Sequence, residues 1–338
     1  PHSSDNQFWG TAHDFARNSA RDLNIKLTIL YNRGNNRFSY LKSFEKAVNA
    51  SRKPDLIIGI FYRFIGTRLL EMAKNKDIPV FMINTNIPDD EKAKIGSPRE
   101  RFENFIGHMA PDEKAAGDLL ARYLIKKARI RFPGNQIQIA GLSGHRGSPV
   151  SLNRSLGLKN GAAAENAVLR QLIFSDWNKP HDQVKQDVIT QTKVLLKRYP
   201  NLTALWYVCD WMAMAGKTVM GQMDKEIITG GIDWEKEAVF AVKNGLLDAS
   251  MGGHFTELGF SLVLVHDYLH GRDFHDDPGT GIKTKMTLLT QENIDRFYMF
   301  LMNRNWEAID FKSYSKILNP ELKTYDFSFK TLLTRTKE

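Results

Sequence analysis

The chain has 338 residues, 42% of them hydrophobic and 25% charged, with a formal net charge of +9. That is long enough for two α/β lobes of ordinary size, and the balance is that of a folded globular protein. No apolar run approaches the roughly 20 residues that cross a bilayer, and the single cysteine, Cys209, excludes an intrachain disulfide and a thiolate metal cluster.

The opening, Pro1 to Asn6, reads as a loop that follows a strand, with a first strand and any export signal expected upstream of it. Phe8 to Leu23 has apolar residues near a helical period, and Ile25 to Tyr31 alternates like a strand. Ser39 to Asn49 reads as a helix. The apolar run Pro54 to Phe61 stops at Tyr62-Arg63, a helix covers Thr67 to Asn75, and a second run, Ile78 to Ile83, stops at Asn84-Thr85-Asn86. Asp89 to Glu103 is a charged, Pro-containing surface excursion.

A short strand over Phe105 to Met109 follows, then a helix opened by Pro111-Asp112-Glu113, with acids in its first turn. Its end, Lys126 to Arg131, is the one basic cluster. The dipole favours cations there, so it reads as a solvated helix end and nucleic acid is not an expected partner. Strands are predicted over Gln136 to Leu142 and Leu169 to Phe174, with a glycine-rich loop from Gly141 and a helix from Ser151 to Ala164 between them. Another helix spans Gln183 to Tyr199.

The earlier pattern then returns. Asn201 to Val208 stops at Cys209-Asp210-Trp211, a helix intervenes, and Ile227 to Ile232 stops at Asp233-Trp234. Glu235 to Asn244 and Phe260 to His270 read as helices, Leu247 to Met251 and Lys283 to Leu289 as strands. The tail from Asn293 is aromatic-rich and less regular. Alternating strand and helix is the mark of parallel α/β units with right-handed crossovers. In open parallel sheets, ligands sit at the carboxyl ends of the strands.

Catalytic motifs are not met. The segment at Gly141 lacks the lysine of a phosphate loop and has His145 where a nucleophile elbow needs glycine. His266, His270 and His275 approach a zinc spacing but lack a HExxH-type base, and read as a solvated helix end before a polar turn. Cys209 reads as a small buried hydrophobe. No nucleophile–base pair has proper spacing, so the chain reads as a binding protein rather than an enzyme, with no cofactor and no metal.

The strand ends carry the functional signal. Trp9, Trp177, Trp211 and Trp234 fall at strand ends or just after them, as do Phe8, Phe61, Tyr62 and Phe255. Aromatic faces suit a ligand with an apolar face and a polar rim, such as a sugar ring. Asn6, Asn84, Asn86, Arg154, Asp210 and Asp233 stand beside them and can saturate hydroxyls with charge-assisted bonds. The plain alternative for Asp210 and Asp233 is capping of the helices that follow.

At these residues the chain resembles the type I periplasmic binding proteins, the ribose- and galactose-binding group. Asn6-Gln7-Phe8-Trp9 matches their Asn-x-aromatic-aromatic helix start. Ile78 to Asn84 resembles the "I-P-V-strand-Asp" segment, and Arg154 with Gly157 matches Arg-x-x-Gly. Cys209 to Ala213 resembles "Asn-Asp-x-Met-Ala", and Gly231-Ile232-Asp233 matches "Gly-aromatic-Asp". The likeness runs in order from Asn6 to about Leu289. Two departures are plain: the Asp-Arg pair of ribose-type proteins is Asn84-Thr85, and Cys209 replaces Asn.

The resemblance implies two Rossmann-like lobes with parallel sheets, joined by a three-segment hinge near Gly107, Gly253 and Lys285. The N-terminal lobe is 1–106 plus 254–284, the C-terminal lobe 107–253 plus 285–338. It implies a periplasmic solute-binding protein that captures a sugar or polyol in the interlobe cleft by hinge bending. The partner is the permease of an ATP-binding-cassette importer, or a sensor kinase or chemoreceptor. Trp9 and Trp177 would sandwich the ring, Asn84, Arg154, Asp210 and Asp233 would bond its polar edge, and Phe8 and Trp234 would complete the walls. Asn6, Tyr62 and Trp211 complete the expected ligand set. The alternative is the effector domain of a lactose-repressor-type regulator.

Overall fold

The structure is a computed structural model, and it describes residues 7–32, 34, 36–177, 179 and 181–337. The chain divides into two compact units, one made of residues to 111, 254–285 and 305–338, the other of 112–253 and 286–304.

The first unit opens with α1 (Gln7–Asp22) and α2 (Arg37–Val48). Asn36 starts α2 by accepting the amides of Phe38 and Ser39, both at 3.0 Å, which satisfies donors the helix leaves open. Then come β1 (Ile57–Gly59), α3 (Gly66–Lys74), β2 (Val80–Ile83), the short α4 (Lys92–Ile95) and β3 (Phe105–Pro111). The expected strand over 25–31 is not paired into a sheet. Alternation fixes which side chains face inward, but a strand also needs a ladder partner, and none is present among the described residues.

The second unit runs α5 (Glu113–Arg131), β4 (Gln138–Ser143), α6 (Pro149–Ala164), β5 (Val168–Phe174), α7 (His181–Arg198), β6 (Ala204–Tyr207), α8 (Asp210–Gln222), β7 (Ile228–Ile232), α9 (Lys236–Lys243) and β8 (Ala249–Gly252). The chain returns to the first unit with α10 (Glu257–Leu269) and β9 (Gly281–Thr284), and to the second with β10 (Thr287–Leu289) and α11 (Asp295–Asn303). Irregular turns and α12 (Phe329–Leu332) follow in the first unit.

The sheet of the first unit has the order β1-β2-β3-β9, parallel throughout. That of the second has the order β10-β8-β7-β6-β4-β5, and only β10 runs antiparallel. The single strand expected over Lys283 to Leu289 is therefore two short strands in different sheets. Every residue of β2, β4, β6, β7 and β8 is buried, as parallel strands covered on both faces must be.

The tail departs from the sequence reading, which carried all of 285–338 into the C-terminal lobe. The structure returns 305–338 to the first unit. Phe15 of α1 is fully buried and meets Phe255, Phe260, Trp306 and Phe311 edge-on, with ring centroids 5.1–5.8 Å apart. Such contacts add about 0.5–1.5 kcal/mol each beyond burial. Asp267, fully buried in α10, accepts from Ser315 Oγ, from the Lys316 amide at 2.6 Å and from Tyr325 OH at 2.7 Å.

Two helix ends also differ from expectation. His266 is buried, its Nδ1 2.9 Å from Asp267 Oδ1 and its ring stacked on His270 at 4.3 Å, so it does not lie at a solvated end. The cations closing α5 are paired rather than simply solvated: Arg129 with Glu165, Lys127 with Asp248 and Arg131 with Glu226.

Candidate functional site

The decisive geometry of the second unit begins where α5 crosses α6. A Cβ on Gly117 would lie 2.1 Å from the Arg154 carbonyl oxygen, and one on Gly157 would lie 2.2 Å from that of Lys114. Only hydrogen side chains allow so close an approach. Asp112 starts α5 by accepting the Ala115 amide at 3.0 Å, and Ser148 starts α6 by accepting that of Ser151 at 3.4 Å, with Pro149 in the first turn. The crossing sets Glu113 against Arg154.

Arg154 is 3% exposed. Its Nε donates to Glu113 Oε2 at 2.5 Å and Nη2 to Oε1 at 3.3 Å, a forked pair. Nη1 donates to Asp233 Oδ1 at 3.1 Å and to the Val208 carbonyl at 2.9 Å. One guanidinium thereby ties α5, the end of β6 and the end of β7 together. Asp233 has φ +125, a conformation that costs a non-glycine residue about 1–3 kcal/mol and persists where the surroundings enforce it.

Asp210 is fully buried. Its carboxylate accepts from Ser250 Oγ at 2.7 and 2.9 Å and from the Glu235 amide at 3.1 Å. It therefore ties β8 and the start of α9 to the start of α8. It caps no helix of its own, and its oxygens serve the unit's interior rather than an open edge. Trp234 is placed inside as well: it is 3% exposed, Nε1 donates to Ser250 O at 3.2 Å, and its ring lies 6.1 Å from that of Phe297. Trp177 is half-buried over Gly144, and Trp211 half-buried with its ring 5.2 Å from His181.

Three carboxylates, Glu113, Asp233 and Asp210, thus gather near one guanidinium, with Glu235 beside the last two. Burial pushes Glu113 up to about 7, Asp233 to about 6, Asp210 to about 8 and Glu235 to about 9. Arg154 opposes the shift at Glu113 and Asp233, while Asp233 adds to it at Asp210 and Glu235. Burial alone would lower Arg154, yet Glu113 and Asp233 hold it above its ordinary value. Cys209 beside them is buried, and its thiol is pushed well up, first by that burial. It is therefore not a thiolate.

The first unit offers a different set. Phe8 stacks on His254 at 4.5 Å with 30° between the planes, and its edge meets Trp9 at 5.3 Å. Trp9 is largely buried against His13. Asn84 has φ +63, and its amide donates to both Met109 O at 2.9 Å and Glu257 Oε2 at 3.0 Å. Tyr62 OH accepts from Asn32 at 3.3 Å, with its pKa pushed up to about 12 by burial. Phe61 and Phe255, both read as strand-end aromatics, are 2% exposed and belong to the core. Asn6 lies outside the described residues.

Sequence reasoning missed Glu113, Glu257, Ser250 and His254. Glu113 carried a signal, a buried-helix start two residues after a strand, but a first-turn acid explained it sufficiently. Glu257 sits at the first position of a helix whose next ten residues are also all buried, and an acid there needs partners.

A family model described as "Periplasmic binding protein domain" matches residues 1–272. The chain belongs to that family. This binding protein is 24% identical over 265 residues to the ribose import binding protein of Haemophilus influenzae, covering 78% of this chain and 81% of that one. It is similar to a periplasmic sugar-binding protein from Pseudomonas fluorescens, with a TM-score of 0.86 at 25% identity over 99% of this chain and 98% of that one. The solute-binding protein of Actinobacillus succinogenes with bound D-allose shares the fold, with a TM-score of 0.74 at 15% identity over 87% of this chain and 96% of that one. The binding protein therefore has the periplasmic binding protein type I fold, with parallel α/β sheets in each unit.

Proposed function

We propose that this binding protein takes up a sugar in the periplasm and delivers it to the permease of an ATP-binding-cassette importer. The observation that carries the reading is Arg154, buried and forked onto Glu113 while holding Asp233 in a left-handed backbone conformation. A carboxylate fixed in that way is a preorganised acceptor for hydroxyl donors. In this reading Asp233 bonds sugar hydroxyls, Arg154 orients it, and Phe8 and Trp9 supply the apolar face against which a ring stacks. Asn84 and Trp177 remain proposed contacts, as do Asn6, Tyr62 and Trp211. Asp210 and Trp234 act as supports, since their polar atoms are occupied within the unit.

The name of the Haemophilus influenzae relative, an import binding protein, supports this reading over the effector domain of a transcription regulator. No helix among the described residues is long and apolar enough to cross a membrane. The test is a thermal-shift panel of pentoses, hexoses and polyols, followed by calorimetry on Asp233→Asn. A stabilising sugar whose affinity falls at least about tenfold in the variant is expected. No shift with any member, or unchanged affinity in Asp233→Asn, would overturn it.

A further inference from the structure

The first unit holds a pocket of about 590 Å3; of the polar residues the sequence suggested for the sugar it includes Asn86 alone, whose Nδ2 donates to the Pro111 carbonyl at 3.3 Å. That volume is within the range of small-molecule sites, about 300–1,000 Å3. Its floor is the edge of the sheet, His108 of β3 and Lys283 of β9, and its wall is the charged excursion after β2, with Asn86, Lys92, Ser97 and Arg101. Three side chains lining it are cations, Lys92, Arg101 and Lys283, and one is an acid, Glu100. Glu100 is turned onto its own loop, accepting the Ser97 amide at 2.7 Å, and Lys92 pairs with Asp89 at 2.6 Å. His108 adds no charge: its Nε2 lies 2.9 Å from the Thr85 carbonyl, and burial lowers it to about 4.

The wall is preformed. Arg99, between Ser97 and Arg101, has φ +68, which is strained for a residue with a side chain. It is held there by a forked pair with Asp273 at 2.6 and 2.8 Å, by the Ile106 carbonyl at 2.9 Å, and by the faces of Tyr268 and Phe274 at 5.6 and 5.2 Å. The surplus of cations sets the sign of what the pocket holds.

We propose that this pocket is a second ligand site, for a small organic oxyanion with two negative charges, a dicarboxylate or a phosphate monoester, held by Arg101, Lys283 and Lys92. It is independent of the sugar reading. The experiment is calorimetric titration of the full chain with succinate, with glycerol phosphate and with chloride, at constant ionic strength. The expected result is that one or both dianions bind and chloride does not, and the arm that responds identifies the source. The double variant Arg101→Ala, Lys92→Ala should weaken binding at least about tenfold while leaving the melting temperature and the sugar titration unchanged, since Lys92 gives up only an exposed pair with Asp89. Glu100→Gln should tighten it, since the one acid lining the pocket is gone. Dianion binding no stronger than that of chloride, or undiminished in the double variant, would overturn the proposal.

Discussion

The two units present different chemistry: stacked rings around the start of α1 in the first, and a buried ion network at the ends of β6 and β7 in the second. In the first, Phe8, His254 and Trp9 stack and meet edge-on, and each contact is a modest, separable contribution. In the second, Glu113, Arg154 and Asp233 form one connected group whose members are all buried or nearly so. Ring contacts lose strength gradually when one member is trimmed. A buried ion network loses its balance at once, because removing one charge leaves the others uncompensated.

Breaking the network should therefore have the largest effect. Arg154→Ala leaves Glu113 and Asp233 buried without their cation, and is expected to cost about 3–5 kcal/mol of stability, read by urea denaturation of the full chain. A loss under about 1 kcal/mol, the range of exposed pairs, would show that the network is not the keystone of its unit. Gly157→Ala attacks the same group indirectly. Its Cβ would meet the Lys114 carbonyl at 2.2 Å, and overpacking of this kind costs about 1–3 kcal/mol. The variant should lower both melting temperature and sugar affinity by moving Glu113 off Arg154.

The aromatic unit should respond more mildly in stability and clearly in binding. Phe8→Ala removes the stack on His254, expected to cost about 1 kcal/mol of stability, while calorimetry should show sugar affinity reduced at least about tenfold. Equal losses in both measurements would assign Phe8 to packing alone.

A further effect is a change of slope with pH. Glu235 near 9 and Asp210 near 8 stand far above ordinary carboxyl values in the folded chain. Between those limits the native state keeps protons that the unfolded chain has released. Their stabilisation is full below about pH 4 and is lost as pH rises through the folded values. Glu235→Gln removes one such group, so the melting temperature of the variant should change less between about pH 5 and pH 9 than that of the parent. An identical slope would mean that Glu235 is ionised in the folded chain.

Much of this contrast was legible in the sequence, and the illegible part has a physical reason. The twice-repeated strand–helix–strand pattern placed β1, β2, β6 and β7, because parallel strands buried on both faces read as continuous apolar runs. Arg154 stood out beside Gly157, whose lack of a side chain the α5–α6 approach requires. Glu113 did not, since its partner is 41 residues away and a first-turn acid already has a local explanation. Asp210 could be read as ligand or cap from its position, and only the fold shows Ser250 and the Glu235 amide converging on it. The tail was opaque for a related reason: Trp306 and Phe311 are plainly core residues, but hydrophobicity does not say which of two cores.

That tail affects how the protein is made. Phe15 leaves the ribosome long before Trp306 and Phe311, whose rings enclose it. The first unit cannot close its interior until translation has run through the whole of its neighbour. A nascent chain of this kind keeps that interior open, and accessible to chaperones, while the intervening residues are being made.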